Sequence, residues 1–216
     1  MIRSLLSALF ALVLLATPAG AGELPPELLT AAKTLSAHDT VKASFTQTKS
    51  SVLFVEDVVR SGTLELRRAD GRLLWTYEDG PSFLMADSRF FPAGKTAEQA
   101  GSEGATGFAM PGAGNMTSVL QAVFTLDPDA LRKHFSAKAT APGTFELTPT
   151  AKAARGLFSK VTLVVGGEPL AVRRTAMDEP TGDRTVIEFI DVQVGTDLHP
   201  ERFMTPAERS AAQGGK

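Results

Sequence analysis

The chain has 216 residues, with 22 basic and 24 acidic side chains and no cysteine. The lack of cysteine excludes disulfides, thiol nucleophiles, cysteine-containing metal sites and a lipid anchor on a cysteine of the chain itself. The balanced charge argues against nucleic acid or an anionic membrane as the main partner.

The first 21 residues have the layout of a secretory signal peptide. Arg3 supplies a positive charge, residues 5–16 are apolar, and Ala19-Gly20-Ala21 offers small residues for cleavage. We therefore expect 1–21 to be removed and 22–216 to form one domain with a net charge of about −3. No later stretch approaches the ~20 apolar residues of a membrane span. The sequence predicts export to the periplasm without stable membrane insertion.

The first part of the mature chain combines one helix with a run of strands. Apolar residues at helical spacing behind Pro25 and Pro26 predict a helix over 24–38. Period-two alternation and turn residues then predict strands joined by short connections. These strands are 41–46, 52–59, 62–68, 73–77, 83–87 and 89–91.

The middle of the chain changes character. Residues 93–115 are rich in glycine and predict a long loop. Asn115 is suited to cap a short helix over 115–124, and Asp127-Pro128 is a strong start for another over 127–135.

Four further strands complete the pattern, at 144–148, 159–165, 170–176 and 184–194. Strand runs with few inserted helices are typical of mixed α+β proteins. We predict a mainly β single domain of this class, with one curved antiparallel sheet of about ten strands. The three helices should pack on its concave face.

Signatures of catalysis are missing from the sequence. His38, His134 and His199 lie far apart, outside any metal-ligand spacing. No phosphate-binding loop and no G-x-S-x-G elbow is present. The sequence therefore predicts no catalytic residue, no metal and no cofactor, and a protein that is not an enzyme.

The apolar side chains of the concave face are the candidate site. Leu64, Leu66 and Arg68 share one face of their strand. A buried arginine without partners is costly, so its position among leucines indicates the rim of a cavity. Alternation does not separate a packed core from a lined cavity, so both interpretations remain. The candidate cavity residues are Phe45, Leu64, Leu66, Leu73, Trp75, Tyr77, Phe83, Met85, Phe90, Met116, Leu120, Val123 and Phe124.

Four segments resemble one known family. Residues 43–48 (ASFTQT) resemble an A-x-F-x-Q opening strand, and 62–68 with Trp75 and Tyr77 resemble G-x-L-x-x-[KR]-R-P…W-x-Y. Residues 145–149 resemble F-x-L-x-P, and 182–203 resemble the closing strands and tail. Together they resemble the LolA-type lipoprotein carriers over most of the mature chain.

The resemblance implies an unclosed half-barrel that carries lipoproteins from an inner-membrane ABC transporter to an outer-membrane acceptor. It implies a monomer with the acyl chains in the apolar cavity and Arg68 as a latch of the helical lid. Ala69 replaces the family's proline, so Arg67 is the alternative latch. A carrier of another lipid or of an acylated or polyene metabolite, a β-rich periplasmic enzyme and a structural envelope protein stay open.

Overall fold

The structure, a computed structural model, describes residues 23–53, 55–107 and 116–214. The predicted signal peptide and residues 108–115 lie outside this part of the chain. The strands are β1 Thr40–Ser50, β2 Val58–Arg67, β3 Arg72–Tyr77, β4 Ser82–Ala86, β5 Arg89–Pro92, β6 Phe135–Ala141, β7 Thr144–Pro149, β8 Lys160–Gly166, β9 Ala171–Asp178 and β10 Arg184–Val194. The helices are α1 Pro26–Ser36, α2 Ala97–Thr106, α3 Met116–Thr125, α4 Pro128–His134, α5 Lys152–Leu157 and α6 Pro206–Gly214, with a 3₁₀ turn at Pro200–Phe203.

All ten strands form one antiparallel sheet. Their order is β5-β4-β3-β2-β1-β10-β9-β8-β7-β6, so strands next to each other in the chain are neighbours in the sheet, except where β1 pairs with β10 and where α2, α3 and α4 separate β5 from β6. The edge strands β5 and β6 do not pair with each other, and the sheet is open rather than closed into a barrel. The predicted fold class is confirmed.

The sheet curves around its helices. A flat sheet of ten strands would be roughly 45 Å wide at ~4.8 Å per strand. One continuous cluster of buried side chains nevertheless includes residues of nine strands and of the short helices α1, α3, α4 and α5. Because a helix is only ~10 Å across, this cluster requires the sheet to wrap around the helices and defines a concave face.

Gly62 fixes the packing at the centre of this face. It lies opposite Phe45 on β1 and Tyr77 on β3. A side chain on Gly62 would come within 2.7 Å of the Phe45 ring and 2.0 Å of the Thr76 carbonyl. The glycine therefore lets an aromatic ring lie flat over the strand backbone.

Three helices on the concave face match the predicted ones within two residues at either end. Amphipathic spacing drives their burial, as Leu28, Ala31, Ala32 and Leu35 of α1 all face the core. The side chain of Asp127 caps α4 by accepting a hydrogen bond from the Ala130 N–H at 2.7 Å. In the described ranges, no helix is long and apolar enough to cross a membrane.

The predicted strand 52–59 is wrong. Residues 51–53 and 55–57 lie outside any strand, and β2 begins only at Val58. Asp183 Oδ1 accepts hydrogen bonds from the Ser51 hydroxyl at 2.9 Å and the Val52 N–H at 3.1 Å, which turns the backbone away from the ladder. Leu53 and Val55 are fully exposed, so their β propensity finds no partner strand.

One strand of the structure, β6, was not predicted from the sequence, and with it the total is again ten strands. β6 follows α4 directly and forms the sheet edge beside β7. Its polar and alanine-rich sequence, S-A-K-A-T-A after Phe135, has little apolar alternation. The strand is stabilised by pairing with β7 rather than by its own pattern, so only the tertiary structure reveals it.

The predicted loop 93–115 contains a helix. α2 begins with a capping box, in which Thr96 and Gln99 each accept a hydrogen bond from the other's backbone N–H. It contacts the edge strand β5 and helix α6. The T-x-x-Q signature was present in the sequence, but the surrounding glycines obscured it.

The C-terminal segment covers the opposite, outer face of the sheet. Phe203 and Leu198 pack against Leu74, Leu84 and Phe91 in a second buried cluster. The Arg72 guanidinium donates two hydrogen bonds of 2.7 Å to the Glu208 carboxylate of α6. The sequence predicted helices only on the concave face, and this outer layer is additional.

Candidate ligand-binding cavity

An apolar cavity of about 300 Å³ lies between helix α3 and the concave side of β3, β4 and β5, and residues of β1, β9 and β10 also line it. Apart from Gln47, Tyr77 and Thr185, its walls are formed by apolar side chains. The lining residues are Gln47, Leu73, Trp75, Tyr77, Phe83, Met85, Phe90, Leu120, Phe124, Met177, Thr185 and Ile187.

Helix α3 separates this cavity from the packed core. Val119, Ala122 and Val123 lie at helical spacing and are completely buried. Leu120 and Phe124, four residues apart on an adjacent face, line the cavity and are only partly buried. The helix is therefore both a part of the core and one wall of the cavity.

Aromatic rings form the floor of the cavity. Phe45 lies beneath it, with its ring centroid 4.3 Å from that of Trp75 and 5.6 Å from that of Tyr77. The Trp75 ring lies 5.5 Å from Phe124 of α3. The Trp75 indole N–H is buried without a hydrogen-bond partner among the described residues, and it is a donor that a ligand carbonyl could use.

The predicted residues divide between cavity, side pocket and core. Eight line the cavity: Leu73, Trp75, Tyr77, Phe83, Met85, Phe90, Leu120 and Phe124. Leu64 and Leu66 line a small adjoining apolar pocket of about 40 Å³. Phe45 and Val123 are buried in the packed core instead, and the Phe45 ring packs against those of Trp75 and Tyr77. The side chain of Met116 lies outside the described part of the chain.

Four lining residues were not predicted: Gln47, Met177, Thr185 and Ile187. Gln47 lies two residues beyond Phe45 on the same strand face, and its Oε1 accepts a 2.9 Å hydrogen bond from the Tyr77 hydroxyl. Ile187 and Thr185 likewise share a face with Phe189. The alternation of side chains along each strand could have indicated these residues. The sequence did not show, however, that β10 lies next to β1.

Arg68 lies on the concave side, where the β2–β3 turn meets α3. Its Nη1 donates a hydrogen bond to the carbonyl of Thr125, the last residue of that helix. Its backbone N–H donates to the Asp39 carbonyl at 2.8 Å, which fixes the turn to the start of β1. Burial lowers the pKa of the Arg68 guanidinium, and Asp127 offsets part of this effect.

A second hydrogen bond joins α3 to the same turn. The Gln121 side-chain amide donates to the Gly71 carbonyl at 2.8 Å. Gly71 has φ +64°, and a side chain there would come within 2.4 Å of that amide. The glycine thus permits both the turn and the close approach of the helix.

Arg67 points to the outer face. Its guanidinium lies 5.3 Å above the ring of Phe203 and 3.2 Å from the Asp70 carboxylate. The two neighbouring arginines therefore contact different layers, Arg68 the helix α3 and Arg67 the C-terminal segment.

Among the described residues, no cluster of three histidine or carboxylate side chains could hold a metal ion.

Several solved structures are similar to this chain at low sequence identity. A LolA superfamily protein from Nitrosomonas europaea is 10% identical over 82% of this chain and 96% of its own, with a TM-score of 0.42. The lipoprotein LppX of Mycobacterium tuberculosis is 13% identical over 80% and 95%, with a TM-score of 0.41. In the MucA/MucB complex of Pseudomonas aeruginosa, the match is 12% identical over 82% of this chain and 59% of the other, with a TM-score of 0.40.

No curated protein matches the chain. A family model described as "Outer membrane lipoprotein carrier protein LolA" matches residues 36–206, which include all ten strands. The chain therefore belongs to the LolA family.

Proposed function

We propose that the protein is a periplasmic carrier that binds the acyl chains of a lipoprotein in the apolar cavity. It receives this cargo from an inner-membrane ABC transporter and delivers it, as a monomer, to an outer-membrane acceptor. The observation that carries the proposal is the apolar cavity beneath α3 together with the latch-like contact of Arg68. Family membership supports the same assignment, since the family is described as a lipoprotein carrier.

The cavity walls suit a cargo that must be both held and released. Burying acyl chain contributes about 0.8 kcal/mol per CH₂, so one fatty chain left in water costs on the order of 10 kcal/mol. Leucine, phenylalanine and methionine contacts are non-directional and hold such a chain without demanding one geometry. Met85 and Met177 on opposite sides of the cavity fit this requirement.

Loading requires α3 to move. A cavity of about 300 Å³ is at the small end of sites for one drug-sized ligand, roughly 300–1,000 Å³. Several acyl chains therefore do not fit until Leu120 and Phe124 withdraw. In this proposal, the arrangement in which Leu120 and Phe124 line the cavity is the closed form of the carrier.

Arg68 is the latch of that closed form in our proposal. A hydrogen bond from a charged donor contributes ~1.5–3 kcal/mol, enough to favour the closed lid yet small compared with the burial of acyl chain. Incoming cargo can therefore displace the lid, and closure after release recovers the latch energy.

The test is cargo handover to an acceptor membrane, with Arg68→Leu and Arg67→Leu as a matched pair. Without the latch, Arg68→Leu should load cargo and release it several-fold more slowly than wild type. Arg67→Leu, which alters only the outer face, should leave handover unchanged. Handover at the wild-type rate by Arg68→Leu would contradict the latch.

The cargo itself is identified by native mass spectrometry of the protein isolated from its own periplasm. A bound mass equal to that of an acylated protein supports the lipoprotein carrier. A bound lipid or polyene of low mass would instead assign the protein to the transport of another acylated molecule.

A further inference from the structure

A second, polar cavity of about 430 Å³ lies on the other side of Arg68. It is lined by the turn of β2–β3, by the C-terminal half of α3 and by α4. Two cationic side chains, Arg68 and Lys133, face one carboxylate, that of Asp127. The cavity therefore carries one net positive charge.

Two residues that line this cavity each have a polar atom without a partner among the described residues. Arg68 Nε and His134 Nδ1 are buried and without a hydrogen-bond partner in the described part of the chain. His134 is only 4% exposed, so bulk water does not satisfy its ring nitrogen. Unsatisfied buried polar atoms are uncommon and point to a missing partner. The Asp127 carboxylate is already used, because it caps α4 through the Ala130 N–H.

The polar cavity adjoins the apolar spaces, because they share wall residues. Arg68 lines the polar cavity and also the 40 Å³ apolar pocket beside it. Phe124 lines this small pocket and the main apolar cavity. Arg68 and Phe124 are thus the side chains that separate the polar cavity, the small pocket and the main apolar cavity near the end of helix α3.

We propose that the polar cavity binds the oxyanion of an amphiphile, a carboxylate or a phosphate, whose acyl chain occupies the apolar cavity. This inference rests on the proposed carrier function and names a further class of acylated ligand that the carrier accepts beside the acyl chains of a lipoprotein. An oxyanion accepts a stronger hydrogen bond from a guanidinium than a peptide carbonyl does. The headgroup therefore competes with the Thr125 carbonyl for Arg68, and its binding releases helix α3.

The experiment is displacement of the uncharged fluorophore N-phenyl-1-naphthylamine from the full mature protein. Dodecyl phosphate, uncharged dodecanol and inorganic phosphate are compared on wild type, Lys133→Gln and Arg132→Gln. Lys133 is exposed, so its loss should not disturb folding. Arg132 is its neighbour on α4, pairs with Asp129 at 3.0 Å and does not line the cavity, which makes it the matched control.

We expect dodecyl phosphate to displace the fluorophore at about tenfold lower concentration than dodecanol, the ratio that one charge-assisted hydrogen bond provides. Lys133→Gln should remove most of this preference, and Arg132→Gln should keep it. Inorganic phosphate alone should leave the fluorophore bound and should not weaken dodecyl phosphate at equal concentration.

Three results would overturn the inference. The first is a preference for dodecyl phosphate over dodecanol that is equally large in wild type and in Lys133→Gln. The second is a loss of this preference in Arg132→Gln as large as in Lys133→Gln. The third is competition of inorganic phosphate with dodecyl phosphate, which would assign the cavity to free phosphate. Failure of both amphiphiles to displace the fluorophore would instead contradict the carrier function itself, so the two failures are distinguishable.

Discussion

The two halves of the concave face are built from the same residue types but are supported differently. On β6 to β9, side chains such as Phe135, Phe145, Leu147 and Leu163 are completely buried against the helices. On β3 to β5, the inward residues Trp75, Tyr77 and Phe90 stay partly exposed around the cavity. One half is thus a solid core, and the other is a lined space.

The cavity half receives its support from the outer face. Leu74, Leu84 and Phe91 point away from the cavity and pack against Phe203 of the C-terminal segment. The comparison shows that strands can border a cavity on their inner face when side chains cover their outer face. In the packed half, the helices provide this support from inside.

The largest effect should follow from truncation in the packed half. Phe145→Ala removes a ring that is 2% exposed and leaves a void that neighbouring strands cannot fill. We expect a loss of about 3–5 kcal/mol in the free energy of unfolding. Urea denaturation followed by circular dichroism measures it. A loss below about 1 kcal/mol would show that this half is not solidly packed.

Truncation of the outer layer should cost slightly less. Phe203→Ala removes the central ring of the second cluster, which supports β3 and β4 from outside. We expect a loss of about 3 kcal/mol, the low end of the range for a buried aromatic ring. Hydrogen exchange should also become faster in β3 and β4 than in β7 and β8. Equal acceleration in both pairs of strands would contradict the division into halves.

The same substitution in the cavity wall should cost little stability. Phe83 borders space that is already empty, so Phe83→Ala enlarges the cavity without creating a new void in the core. We expect a change of about 1 kcal/mol or less in the free energy of unfolding. Measured beside Phe145→Ala by the same denaturation curves, a loss of equal size would show that the cavity wall is part of the core.

The smallest effect should appear in the pH dependence of the outer layer. Its hydrogen bonds with Arg72 hold the pKa of Glu208 at about 2, below the ordinary 4.5. A depressed carboxyl pKa stabilises the folded state above about pH 4.5, and this contribution is lost as the pH falls toward 2. Because Glu208 is half exposed, the effect should be modest.

Denaturation midpoints of wild type and Glu208→Gln, measured across that pH range, test this contribution. The two proteins should differ above pH 4.5 and converge toward pH 2. A difference that stays constant with pH would assign the contact to something other than the ionised carboxylate.

The alternation of inward and outward residues along the strands predicted most of the sheet. It could not show whether an inward side chain lies in the packed core or lines the cavity. Val123 and Phe124 are adjacent apolar residues on one helix, yet one is in the core and the other lines the cavity. Which of them meets empty space depends on how far α3 lies from the sheet, and that distance is a tertiary property.

The two errors in the predicted strands come from pairing partners that the sequence does not show. The apolar sequence around Leu53 has strand propensity but no partner, whereas Lys138 and its neighbours have a partner but little propensity. Pairing decided both outcomes. The role of Arg68 stays a prediction, although its parity with Leu66 places it on the concave side, where it contacts α3.

The open sheet has a mechanical consequence. In a closed barrel, strand number and stagger fix the radius, and any widening breaks hydrogen bonds between strands. Here no ladder joins β5 to β6, so the distance between the two edges is free to change while all nine strand pairings persist. The span between the two edges can therefore adjust to the bulk of the contents without breaking the sheet, at the cost of twisting its strands and shifting the side chains packed inside it.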